Sequence, residues 1–268
     1  MDFLEIVKAS FLRNALMALL ITSSFLSYLG VYVVLKRIVF AGIAISQIAS
    51  LGYVLGMLLK LNPQICSLGT SLIGAVLFSF HTREKRFSRE SMVGLGYALS
   101  SSLGILFVAK SATAEAGMLN LLFGNVLMIS SGKVCLVAAI SLLIFIFYSL
   151  FNKEIAFIAF DEETARAQGL NARLFELLFY LLLAVGISAA ISIIGALLSF
   201  SFLTVPALCG LCAAKRFSGV FKAALLCGII SSLLGLYLSY YCDLPTGPAV
   251  VTANIALFAV IFFLKSLR

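Results

Sequence analysis

Residues 177–196 read LLFYLLLAVGISAAISIIGA, a run with no acid and no base. Wound into a helix that rises 1.5 Å per residue, such a run is about 30 Å long, the thickness of a bilayer's hydrocarbon core. Working outward from it, comparable stretches fall at about 15–35, 38–59, 64–80, 91–109, 133–151, 175–196, 198–214, 223–241 and 247–264. Charges sit in short clusters between these stretches, and none of the 11 acids falls in the middle of one. The fold class is therefore all-α: a polytopic transmembrane bundle of about nine spans, within eight to ten. At 268 residues the chain is filled by one transmembrane domain, residues 1–268, with no room for a soluble one.

A net charge of +8 would suggest nucleic acid as partner in a soluble protein. Here it reports orientation, because Lys and Arg collect in loops on the cytoplasmic side. The segments around Lys36-Arg37, 81–90, 152–174 and 215–222, with the C-terminus, hold most of the 19 basic residues. That places the N-terminus outside and the C-terminus inside, with membrane lipid around the bundle and no nucleic acid partner. The first dozen residues show no cleavable signal and read as an interfacial amphipathic helix.

Several chemistries are absent. A proton-driven carrier needs a buried carboxylate or histidine that loads and releases the proton. The single histidine, His81, lies in a basic loop and no acid is midspan. No H-E-x-x-H, nucleophile elbow or catalytic triad is present, so the chain is not read as an enzyme. Nor is there a G-x-x-x-x-G-K-[ST] loop, so any ATP that drives it acts on a separate polypeptide. Cys209-x-x-Cys212 lies in an apolar, small-residue stretch and reads as packing. So do the small residues Gly94, Gly96, Ser100–Ser102, Gly186, Ser188, Ser192 and Gly195, with kinked helices beside a pathway as the sharper alternative.

Two loops carry information. Phe160 to Asn171 reads as a short bounded helix: Asp161 caps it, Glu162 and Glu163 favour the positive end of its dipole, and Gly169 ends it. So short a helix needs bracing. It is either a loop helix packed on its own bundle or a docking helix for a cytoplasmic partner. In the outer loop Tyr240 to Pro248, Asp243 reads as a solvated turn residue or as an acid facing a vestibule.

These loops, with three further segments, resemble the permease subunits of ABC transporters that import zinc, manganese or iron. Gly30 to Arg37, Phe40 to Gln47 and Gly52 look like the family's early Gly-x-Phe-x-Val-x-Arg-Arg and Gly-Asp-Ala-x-Ser-His stretch. Leu122 to Leu127 is similar to its Leu-Phe-Gly-Asp-Ile-Leu, and Gly195–Leu198 to Pro206-Ala207 and Asp243–Gly247 complete the set. The resemblance implies one permease domain in a bacterial cytoplasmic (inner) membrane, crossing it many times. It implies ABC ATPase subunits, an extracytoplasmic metal-binding protein, and a second copy or a paralogous permease. No cofactor is bound permanently; a divalent metal is the cargo. Asp161, Glu162, Glu163, Arg166 and Gly169 would engage the ATPase, and Ser46, Gln47 and Asp243 are the candidate metal-pathway residues.

The family's Asp and His, natural ligands on one helix face, are here Ile43 and Gln47, and its Pro is Leu51. Isoleucine is no ligand, and a neutral amide is a weak one for zinc. Three accounts stay open: metal passes with few protein ligands, a different permease supplies them, or the cargo is not a first-row metal. Two other classes compete with an importer, a self-sufficient secondary transporter or channel and a non-transporting scaffold.

Overall fold

The computed structural model describes residues 10–80, 88–109, 124, 129–130 and 131–266. The expectations for the N-terminal nine residues, for His81 and its basic loop, and for residues 122–127 apart from Gly124 lie outside the described residues. Every element described is helical: α1 (Ser10–Leu35), α2 (Val39–Leu58), α3 (Pro63–Phe80), α4 (Arg89–Val108), α5 (Ser131–Leu150), α6 (Asn152–Phe160), α7 (Glu162–Ala167), α8 (Ala172–Ile194), α9 (Ala196–Ala213), α10 (Phe217–Tyr241) and α11 (Thr246–Ser266). Eight of these are long and apolar enough to cross a membrane, and the apolar part of α3, Pro63–Ser79, is shorter. The all-α, multi-span class expected from the sequence is what the chain adopts. The sequence reading did not separate α6 from the loop before α7.

The ends of the helices follow local chemistry. Pro63 opens α3, where a missing N–H costs nothing. The Ser88 side chain accepts from the Ser91 N–H at 3.1 Å to cap α4. At four C-terminal ends the chain turns through a left-handed residue: Arg37 (φ 57°), Lys60 (φ 56°), Gly169 (φ 87°) and Asp243 (φ 52°). At each, the following N–H reaches back five residues, as Ile38 does to the Val33 carbonyl (3.0 Å) and Leu61 to Gly56 (2.9 Å). This is the Schellman stop.

The chain forms two compact units. One holds Met1–Val31, Asn120–Ser141 and Ser192–Arg268; the other holds Tyr32–Leu119 and Leu142–Ile191. Helices α1, α5 and α8 each contribute to both. In the first unit α9, α10 and α11 pack on one another, with Leu19, Phe25, Leu198, Phe202 and Val250 buried. A Cβ on Gly30 would lie 1.9 Å from the Leu203 carbonyl oxygen, so α1 and α9 touch backbone to backbone. In the second, α2 packs on α3 and α4, and Tyr32, Ile45, Tyr148, Phe179 and Tyr180 are fully buried.

Hydroxyls inside the spans mostly turn back on their own helices. Thr22 donates to the Ala18 carbonyl (2.6 Å), Ser100 to Gly96 (2.6 Å) and Ser232 to Gly228 (2.7 Å). A polar group in hydrocarbon must be satisfied internally, and this is the local way to do it. The small polar residues accordingly read as packing, with links between helices where Ser67 and Ser188 meet at 3.2 Å, where the Thr70 hydroxyl donates to the Ile48 carbonyl at 3.1 Å and where the Asn254 amide donates to the Ser201 hydroxyl at 3.0 Å.

Candidate functional site

Gly42, Ala44, Ile45 and Ser46 are buried on α2, whereas Ile43 and Gln47 are half-buried and lie one turn apart on its other face. Ser46 and Gln47 are therefore neighbours in sequence on different faces. The Ser46 hydroxyl donates to the Ile43 carbonyl at 2.7 Å, which occupies its proton within the helix. Ile43 lines a groove of about 340 Å³ with Phe40 and, from α4, Glu90, Val93, Gly94 and Tyr97. A second, smaller hollow of about 140 Å³ adjoins it at the helix ends, lined by Lys36, Arg37, Ile38, Phe40, Ala41, Glu90 and Val93. The groove is mostly apolar, with the Glu90 carboxylate at the end where the basic residues collect. Sequence reading missed Glu90 as a partner of Ile43, because nothing in the sequence brings the start of α4 to the start of α2. Among the described residues no three His, Cys, Asp or Glu side chains come together as a metal set.

Asp243 belongs to the other unit, at the C-terminal end of α10. It is exposed, and its left-handed backbone fits the stop in which the Leu244 N–H reaches the Ser239 carbonyl at 3.0 Å. The Ser239 hydroxyl pins the turn by donating to the Leu244 carbonyl (2.6 Å) and lies 3.2 Å from the Thr246 hydroxyl. This position favours glycine for its backbone, and a cation for the helix dipole. The other exposed non-glycine stops carry Arg37 and Lys60, as the dipole prefers. Aspartate is one of the few non-glycine residues that tolerate this backbone, and its carboxylate, although at the negative end of α10, lies only three residues before α11 begins at Thr246, whose positive end favours it.

The third place is α7. Asp161 caps it as expected: its Oδ1 accepts the Thr164 N–H at 3.0 Å, and its other oxygen accepts the Thr164 hydroxyl. These two bonds, the hydroxyl first, hold the Asp161 carboxyl below the usual carboxylate range. Gly169 ends the helix with both Schellman bonds, Leu170 N–H to the Ala165 carbonyl (3.1 Å) and Gly169 N–H to that of Arg166 (3.0 Å). Ala165 is fully buried in a cluster with Ile158 of α6 and Ala172 of α8, flanked by Phe157, Leu170 and Phe175. Glu163, Thr164, Arg166, Ala167, Gln168 and Gly169 are exposed. Glu162 lies in the helix, but its side chain is outside the described residues. So α7 is braced on its own bundle through one face and presents the rest outward, which leaves room for both readings of the loop.

The chain matches the model of the ABC 3 transport family over residues 8–265. Among curated relatives it is 28% identical to the "Probable iron transport system membrane protein" of Haemophilus influenzae, over 99% of this chain and 97% of that one. It is 25% identical to the "Manganese transport system membrane protein MntC" of Halalkalibacterium halodurans, over 97% and 89%. It is 28% identical to the "High-affinity zinc uptake system membrane protein ZnuB" of Haemophilus influenzae, over 93% and 95%. Among solved structures, "PsaBC from Streptococcus pneumoniae in complex with Fab" superposes with a TM-score of 0.86 at 23% identity, covering 97% of this chain and 94% of that one. An ABC transporter solved in an inward-facing conformation superposes at 0.80 and 15% identity, covering 98% and 89%. With a family model spanning nearly the whole sequence, this chain belongs to the ABC 3 transport family, as a multi-pass membrane permease that is not itself the ATPase.

Proposed function

We propose that this permease is one domain of an ATP-driven importer in a bacterial cytoplasmic membrane, and that its cargo is a divalent first-row metal: manganese, zinc or iron. The observation that carries the cargo class is Asp243. It is an exposed carboxylate in the loop that the charge bias places outside, where it attracts a cation arriving from that side. The relatives' names, which divide among iron, manganese and zinc, support the same class without choosing within it.

An extracytoplasmic metal-binding protein delivers the ion near Asp243, and two permeases, identical or paralogous, enclose the pathway. The groove lined by Phe40 and Ile43 of α2 and by the start of α4 is a further candidate part of that pathway. With isoleucine at one family ligand position, the ion is held loosely there, by the Gln47 amide and by whatever a second permease adds, while Ser46, buried on another face with its hydroxyl bonded to the Ile43 carbonyl, supports the helix that carries that amide. The outward face of α7, with Glu163 and Arg166, meets an ABC ATPase, while Asp161 and Gly169 keep that helix formed. Glu162 belongs to the same proposal. No resident cofactor is needed: the metal is cargo, and ATP is spent on the partner subunit.

The test is uptake of manganese(II), zinc(II) and iron(II) by vesicles containing the chain with its ATPase and binding protein. Asp243→Asn keeps the left-handed turn, which asparagine tolerates, and removes only the charge. We expect it to cut uptake roughly tenfold at limiting metal while the ATPase stays bound. Unchanged uptake by Asp243→Asn would remove the acid from the pathway. Uptake by the purified chain alone, driven by an ion gradient, would replace the importer with a secondary carrier.

A further inference from the structure

We infer that Tyr32 and Asn152 are a positioning pair that links the ATPase-facing helix α7 to the end of α1, so that movement imposed on α7 is passed into the bundle through their partly buried hydrogen bond. The inference rests on the reading of α7 given above. A helix of six residues has no rigidity of its own. It can transmit displacement only as part of a larger body, and the buried Ala165 shows what that body is. Packed between Ile158 and Ala172, it ties α7 to α6 on one side and to the start of α8 on the other.

What this body grips is the C-terminal end of α1, and it does so twice. At the first residue of α6, the Asn152 Oδ1 accepts the Tyr32 hydroxyl at 2.9 Å. On α8, the ring of Phe179 lies 4.8 Å from the Lys36 Nζ, within cation–π range. Tyr32 lies in the last turn of α1, and Lys36 follows that helix directly, its N–H donating to the Tyr32 carbonyl at 2.9 Å, so the two stack at one helix end. The arm that enters α7 and the arm that leaves it are thus both held by a single helix end.

Of the two grips, the hydrogen bond is the directional one. The Tyr32 ring is fully buried and rests 5.0 Å from the Tyr148 ring at 32°. Tyr148 in turn meets Phe179 edge-on at 6.3 Å. Packing alone would be served as well by phenylalanine. A phenol in this setting adds a buried polar group that costs free energy unless it is bonded, and here it is bonded to the hinge of the α6–α7 body. Asn152 is equally placed, as the residue where α5 gives way to α6.

The experiment uses the complete transporter in proteoliposomes with an equimolar mixture of manganese(II), zinc(II) and iron(II). Two quantities are read: ATP hydrolysis stimulated by the binding protein, and metal taken up per ATP. Tyr32→Phe keeps the ring and loses the bond. We expect both quantities to fall roughly three- to tenfold, with the ATPase still bound in full. Asn152→Ala should do the same, Asn152→Asp, which keeps an acceptor oxygen, should not, and the double variant should be no worse than either single one. Wild-type coupling in Tyr32→Phe, or losses that multiply in the double variant, would overturn the pair. Should Tyr32→Phe fail to reach the membrane, the contrast between Asn152→Ala and Asn152→Asp decides. Charge reversal on α7, Glu163→Lys with Arg166→Glu, tests the underlying reading separately. If the ATPase is retained in full there, α7 is not its docking helix, and the inference falls with it.

Discussion

A methyl group at position 30 is among the smallest changes this structure cannot absorb. It would meet the Leu203 carbonyl oxygen at 1.9 Å and the carbonyl carbon at 2.8 Å, both backbone atoms that no rotamer change can move. Gly30→Ala should therefore push α1 off α9, at a cost of about 3 kcal/mol. Gly104 is the control, since a Cβ there meets nothing within 4 Å. Gly104→Ala should be neutral or stabilise α4 by up to about 1 kcal/mol. Thermal unfolding of the detergent-solubilised chain separates the two, and equal melting points would contradict the contact. Gly30 was visible in the sequence only as part of a family-like motif. That its constraint is a backbone 173 residues further on could not be read from it.

At the scale of one element, α7 shows which features are legible in a sequence. Asp161 and Gly169 could be assigned because capping is local: an acid, a turn and a half of helix formers, then glycine. The bracing could be required but not located, because Ala165 meets Ile158 and Ala172 through tertiary packing. For the same reason α6 was hidden, a nine-residue helix whose apolar residues continue those of α5. The link from Tyr32 to Asn152 joins positions 120 apart and leaves no periodic trace. The cap also sets how α7 responds to acid. Because the folded Asp161 is held below the ordinary carboxylate range, its stabilising effect is complete above the unfolded value and is lost as pH falls through the folded one. From neutral to mildly acid conditions α7 should stay formed, and it should fray only in stronger acid. Thr164→Ala removes the leading cause of the shift and should move that fraying toward neutrality. Amide hydrogen exchange at Ala165 and Arg166 across the acid range measures it, and an unmoved profile would mean that the hydroxyl does not hold the charge.

For the whole molecule, the class of the fold was plain because a bilayer forces uncharged runs of fixed length, whereas the grooves and contacts between those runs depend on which faces meet. Sidedness, read from Lys and Arg, gains support from geometry within one unit: Lys36, Arg37 and Glu90 share a hollow, and Tyr32 and Lys36 hold the elements around α7. Cys242 is exposed beside Asp243, while Cys209 and Cys227 are buried. In intact spheroplasts of a strain carrying a single-cysteine chain, an impermeant maleimide should label Cys242, and should reach Gln168→Cys only after the membrane is opened. The reverse order would invert the protein. One property of the backbone path reaches beyond transport. The chain passes between its two units four times, once at Leu119–Asn120 and three times inside helices α1, α5 and α8, at Val31–Tyr32, Ser141–Leu142 and Ile191–Ser192. The three passages inside helices are uninterrupted runs of helical hydrogen bonds, and each unit is assembled from separate stretches of chain, so no single break in the gene separates the units. In hereditary terms neither unit can be duplicated, lost or lent to another protein by itself. Lineages that diversify this permease must do so by point substitution or by copying it whole.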